Sequence, residues 1–193
     1  MTSAKPMDGL TVNFRWKAAL QKEGQGYSFP EVRSDFFRKN YSGPAIYRWR
    51  IHPADAGQLE KIYIGEADDL HERVGQYLSA RSNQQGGQTN KRVVAELSEA
   101  IRSGKTVFLD VAVFEPYSVD GVSFDASNLE SLFVRRAIEY LLLAKAQKEG
   151  HPLLNKGTES SLKRVKALYK GLSGEQKKQI RAFINKRPQQ TDD

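Results

Sequence analysis

The sequence predicts a mixed α/β protein of the α+β type, with a small three-stranded antiparallel sheet flanked by helices. Runs of β-branched and aromatic residues mark three strands, at 45–51, 61–64 and 107–114. Apolar residues at helical spacing fill the stretches between and after them. A sheet of three strands is too small for a doubly wound fold. The 193 residues suffice for one domain with extensions, or for two small ones.

Taken in order, residues 1–26 predict little order apart from an amphipathic stretch at 14–20. Pro30, at a first turn, opens a short helix through Phe36 and Phe37. Strands 45–51 and 61–64 form a hairpin with a long tip, and Gly65 ends the second strand. Asp68 or Asp69 caps a helix to about Ala80, with Leu70, Val74, Tyr77 and Leu78 inward. The polar run 82–90 reads as a flexible loop. A helix over 91–103 buries Val93, Val94, Leu97 and Ile101, and Gly104 stops it. Strand 107–114 follows, then a turn at 116–121. Ser127 and Glu130 fit a capping box for the longest helix, which ends near Gly150 and forms the spine of the core. Two helices, at 160–169 and 173–185, close the chain. The expected organisation is an N-terminal extension (1–43), a core (44–156) with a helical insertion (80–105), and a basic helical extension (157–193).

Composition narrows the chemistry. No cysteine excludes disulfides and Cys-ligated zinc or iron–sulfur sites, and 3 histidines exclude a histidine-rich metal centre. No run of 18 apolar residues suggests a membrane span. The N-terminus lacks an apolar signal core, so a cytoplasmic protein is expected. The net charge is +7, but residues 145–187 hold 12 Lys and Arg against 3 Glu. The remainder is therefore slightly acidic. A basic C-terminal region suits a phosphate backbone, and equally a solvated helical tail.

Three polar placements stand out. Arg73 and Tyr77 are four apart and share a helix face. Glu139 lies in the apolar centre of the longest helix, where it needs a partner or a task; an ion pair with Arg73 is the structural alternative. Tyr47 and Tyr63 occupy matching places on neighbouring strands.

Ala45-Ile46-Tyr47 and Tyr63-Ile64-Gly65 resemble the paired motifs of the GIY-YIG nuclease superfamily. The second motif matches fully; the first has alanine where the family has glycine. Arg73 follows Gly65 by the family's eight residues. Tyr77, Glu139 and Asn155 fall where the family places a tyrosine or histidine, its metal-binding glutamate and its closing asparagine. The resemblance spans 44–156, and the long 80–105 segment is similar to the insertion of stand-alone restriction-type and phage endonucleases.

The resemblance implies hydrolysis of a DNA phosphodiester. Glu139 would hold one divalent ion per site, Mg²⁺ or Mn²⁺, with waters completing its shell. Arg73 would neutralise the scissile phosphate. Tyr47 would accept the proton of the attacking water, helped by Tyr63, Tyr77, Arg73 and, as an auxiliary, Lys61. A free tyrosine ionises near 10, so it needs such help. Each residue has a plainer reading. Tyr63 and Tyr77 could be core aromatics, Arg73 an ion-pair member, and Lys61 a solvent-facing lysine. Asn155 could tie its loop to the backbone. Arg81, Asn83, Gln84, Gln85, Asn90, Lys91 and Arg92 could reach a DNA groove, or form an ordinary surface loop. Lys156, Lys163 and Arg164 would grip the backbone. The implied partners are double-stranded DNA and a second copy in a homodimer, as for a type II restriction enzyme cutting palindromes. A structure-selective or repair nicking enzyme and an inactive DNA-binding protein are the alternatives.

Overall fold

Strand-forming alternation at 45–51, 61–64 and 107–114 does build a sheet, and a fourth strand joins it. The computed structural model describes residues 14–22, 24–53, 61–83, 87–115, 117–119, 122–124, 126–155 and 174. Its elements are β1 (Phe14–Ala18), β2 (Leu20–Lys22), β3 (Gln25–Gly26), α1 (Asp35–Tyr41), β4 (Ala45–His52), β5 (Lys61–Ala67), α2 (Leu70–Asn83), α3 (Gln88–Arg102), β6 (Thr106–Phe114), β7 (Tyr117–Val119), β8 (Val122–Phe124), a 3₁₀ turn (Ala126–Glu130) and α4 (Leu132–Lys148). The fold is a mixed α/β arrangement with an antiparallel sheet of order β1-β6-β4-β5.

The expected three strands are therefore four. The amphipathic stretch at 14–20 is a strand because its apolar residues alternate with period two: Phe14 and Trp16 face inward, while Arg15 and Lys17 face water. It pairs with β6 from Phe14↔Phe114 to Ala18↔Asp110. The chain then returns along β6, where the Phe29 N–H donates to the Val107 carbonyl at 3.0 Å.

Other boundaries shift for local reasons. Pro30 does not open a helix; it follows a cis peptide bond in a turn. α1 starts after Ser34, whose hydroxyl accepts from the Phe37 N–H at 3.1 Å. β5 runs past Gly65 to Ala67 because β4 pairs with it up to Ala45↔Ala67. Asp69 caps α2 by accepting from the Glu72 N–H at 2.8 Å. α3 begins at Gln88, so the polar run is shorter than expected. Gly104, at φ 76°, stops α3 as anticipated. The backbone at 117–119 and 122–124 forms a hairpin in place of a plain turn. Ser127–Glu130 is not a capping box: these residues lie in the 3₁₀ turn, and α4 begins after Ser131. The helices expected at 160–169 and 173–185 lie outside the described residues, apart from helical Gly174.

Alternation gives the sheet two apolar faces. On one, Tyr47, Trp49, Tyr63, Val107 and Leu109 pack under α1, α2 and α3, with Tyr27 and Phe29. Trp49 is completely buried, its ring 5.7–6.1 Å from those of Phe29, Tyr77 and Tyr27. On the other face, Ile46, Ile62, Ile64, Ala112 and Phe114 meet Ile138, Leu141 and Leu142 of α4. Each such side chain contributes about 1.5–3 kcal/mol by leaving water. Among the described residues no helix is long and apolar enough to cross a membrane.

The second face also holds a buried carboxylate. Asp110 on β6 accepts from Arg48 Nε and Arg50 Nη2, both at 2.8 Å, and Arg48 stacks on Trp16. One carboxylate thus compensates two half-buried guanidiniums. Asp110→Asn is expected to destabilise the protein by about 3 kcal/mol, the low end for a broken buried pair because both guanidiniums keep some water. A urea midpoint lowered at unchanged m would show this; an unmoved midpoint would refute it.

Candidate active site

Four elements converge at the C-terminal end of β5. Tyr47 comes from β4, Tyr63 and Gly65 from β5, Arg73 and Tyr77 from α2, and Glu139 from α4. The register sets Tyr47 opposite Gly65 and Tyr63 opposite Trp49. The two tyrosines are therefore diagonal neighbours on one face, not direct partners, with ring centroids 6.3 Å apart.

Gly65 makes the arrangement possible. A Cβ there would lie 2.6 Å from Tyr47 Oη and 3.0 Å from the Tyr63 ring. The Tyr47 hydroxyl therefore passes over bare backbone to meet that of Tyr77 at 2.7 Å. Tyr63 is an electrostatic neighbour of Tyr77 as well. The three tyrosines cluster around Tyr77 and are 0–7% exposed. Arg73 and Glu139, both half-buried, are the charged groups beside them.

The electrostatics follow from that burial. Desolvation pushes the Tyr47 hydroxyl well above the usual tyrosine value; Tyr77 and Tyr63 add to the rise, and Arg73 opposes it. Tyr63 rises for the same first reason, aided by Tyr77 and by the Glu139 carboxylate. Burial raises Tyr77 too, but Tyr47, Tyr63 and the charge of Arg73 pull it back. At neutral pH all three are phenols. Burial works against the Arg73 cation, and the facing tyrosines and Glu66 outweigh it.

Asn155 takes the plainer of its two readings. Its amide donates to the Ile64 carbonyl at 2.7 Å and accepts from the Ile64 N–H at 3.0 Å. It thereby caps the free edge of β5, beside the parallel bridge Ile62↔Leu153. Lys61 is at the opposite end of β5 from Gly65, 3.6 Å from Glu96. Arg92 braces the same edge segment by donating to the Leu154 carbonyl at 2.6 Å. Asn90 reaches Gln76 across a cleft of about 400 Å³ between α2 and α3, which Arg33 and Ser79 also line. Arg81 and Lys91 are exposed near its ends. Asn83 ends α2; its side chain, and Gln84, Gln85, Lys156, Lys163 and Arg164, lie outside the described residues.

Two residues escaped sequence reasoning. Arg135 is 4% exposed and bonds Glu66 and Asp68. Its place four residues before Glu139, on the same helix face, was the available signal. Arg33 donates to the His71 carbonyl and lies against Gly75, where a Cβ would come within 2.7 Å of its guanidinium.

Among the described residues no group of three or more His, Asp or Glu side chains could hold a metal ion. A dedicated protein cage is thus absent from them. An ion held at Glu139 would have to fill its other positions from water and a bound phosphate, as Mg²⁺ does. No protein-family model, curated protein or solved structure matches the chain.

Gly65→Ala is expected to separate Tyr47 from Tyr77 and cost about 1–3 kcal/mol. In the wild type the three folded-state values exceed the unfolded value of about 10, so stability should hold to about pH 10 and fall as pH climbs further. Alkaline titration of tyrosine absorbance and thermal melts would test both. An unchanged titration in the variant would argue against the Gly65 contact.

Proposed function

We propose that the protein is a divalent-metal-dependent DNA endonuclease of GIY-YIG type, acting in the cytoplasm as a homodimeric type II restriction enzyme. One observation supports this most: Tyr47, Tyr63, Arg73, Tyr77 and Glu139, drawn from four elements, meet at one end of β5.

In this reading the scissile phosphate binds beside Arg73, whose guanidinium neutralises charge gathering on the phosphoryl oxygens. Glu139 would hold Mg²⁺ or Mn²⁺, which would polarise the phosphate and stabilise the leaving 3′-oxygen. Tyr47 orients the attacking water and takes its proton in the small fraction of molecules where its hydroxyl is ionised. Tyr63 and Tyr77 hold that hydroxyl in place. Duplex DNA then lies along the α2–α3 cleft, where Gln76 and Asn90 can face adenine and Arg33 guanine or phosphate.

Purified protein incubated with mixed duplex DNA and Mg²⁺ should give discrete fragments. Nicks or cuts confined to junctions would favour a structure-selective enzyme. Binding without cleavage under any divalent ion would sink the enzyme reading and leave a DNA-binding protein. Glu139→Gln is expected to lower cleavage by about 100-fold or more while still retarding the same duplex. Because a raised hydroxyl pKa leaves little tyrosinate at neutral pH, the rate should climb about tenfold per pH unit through pH 9. A flat profile there would remove Tyr47 as the base.

A further inference from the structure

We propose that Arg135 is a positioning residue of this site: by clamping the start of α4 to the end of β5, it sets where Glu139 stands and hence how well a divalent ion is held. The inference rests on the nuclease reading above, and three observations carry it.

The first is how thoroughly Arg135 is used. Nε donates to Glu66 Oε2 at 2.9 Å and Nη2 to Asp68 Oδ1 at 2.8 Å. Nη1 donates to the carbonyls of Leu129 and Glu130, at 2.7 and 3.1 Å. One side chain therefore joins three segments: the last residues before α2, the 3₁₀ turn, and α4 itself. Burying a guanidinium costs several kcal/mol unless its donors are met, and a planar fork meets several partners at once where an ammonium cannot.

The second is that α4 lacks an ordinary start. Ser131 stands at its N-cap position yet makes no side-chain cap bond, unlike Ser34 at α1. The helix is located by Arg135 where a capping hydroxyl would otherwise do it. Glu139 lies four residues on, about 6 Å along the axis on the same face.

The third is the place of Glu66. It follows Gly65 directly, its carboxylate acts on Arg73, and its other oxygen lies 3.9 Å from Arg136. Arg135 thereby ties the strand residue beside the Tyr47–Gly65 contact to the helix that carries Glu139. It also pairs with Glu66, so that this carboxylate is already engaged beside the site. Without the clamp, α4 can slide or turn by a fraction of a residue, and Glu66 becomes a competing ligand.

The test compares Arg135→Lys, Glu66→Gln and Asp68→Asn with wild type, each checked by circular dichroism and assayed well below its melting temperature. Arg135→Lys and Glu66→Gln are expected to raise the Mg²⁺ concentration for half-maximal cleavage about tenfold, with KM for the duplex little changed and rate recovered at high Mg²⁺. Asp68 is largely exposed, so Asp68→Asn will fold, and a smaller rise in the same direction is expected. Mn²⁺ uptake by the protein–duplex complex, read by EPR against the Glu139→Gln complex as blank, should weaken in the same order. A folded Arg135→Lys protein with wild-type Mg²⁺ dependence and Mn²⁺ uptake would overturn the inference. If Arg135→Lys and Glu66→Gln fail to fold, an unshifted Asp68→Asn would overturn it. A wild type that cleaves nothing would defeat the nuclease reading, while Mn²⁺ uptake above the Glu139→Gln blank would still uphold Arg135's role if the variants lower it. No uptake above that blank would overturn this inference.

Discussion

Tyr47 reaches Tyr77 only because position 65 carries no side chain. A Cβ at position 65 would come within 2.6 Å of the Tyr47 hydroxyl and turn the ring away from β5. With glycine opposite, the ring lies over β5 and its oxygen crosses to α2. Much follows from that one contact. It fixes the face on which Tyr63 must lie, two residues away on the same strand. It draws α2 close to the sheet, so that Arg73, one turn before Tyr77, is held at the strand end. β5 is the outer strand of the sheet, and Asn155 and its neighbours satisfy its free edge.

Charge is arranged around this contact with the same economy. Asp110 answers two arginines on the far face, and Glu66 and Asp68 answer Arg135. Arg73 differs: its strongest electrostatic neighbours are tyrosine hydroxyls, which are neutral at ordinary pH. The carboxylate that acts on Arg73 is Glu66, already bonded by Arg135.

The strands, the central helices and the spacing of Tyr47, Tyr63, Arg73 and Tyr77 were legible because each rests on local periodicity. β1 was not. Its five residues alternate, but only Phe14 and Trp16 are apolar enough to signal it, and its partner β6 lies some hundred residues on. The start of α4 was misread because Ser127 and Glu130 imitate a cap, whereas the group that places the helix reaches back to Glu66 and Asp68, 69 and 67 residues earlier. Arg92 was read as a DNA contact for a similar reason. Its acceptor, the Leu154 carbonyl, is 62 residues away, and an arginine beside a polar run looks free when that distance is invisible. Asn155 kept two readings in the sequence because its partner Ile64, 91 residues earlier, is equally hidden.

Burial gives the tyrosine cluster two opposed properties. A dry floor of packed rings holds the Tyr47 and Tyr77 hydroxyls 2.7 Å apart, with the Tyr63 ring alongside. The same dryness penalises the tyrosinate and makes each hydroxyl a poorer acid. Of the three, Tyr77 is helped most, since two neighbouring hydroxyls and Arg73 all favour its anion. Charge formed at Tyr47 can be shared across that contact with Tyr77, where it is least costly. A bound phosphate would add a negative charge beside Arg73 and oppose this, whereas a cation at Glu139 would favour it. The balance of those two charges, more than the identity of any one tyrosine, therefore decides how readily the site can take a proton.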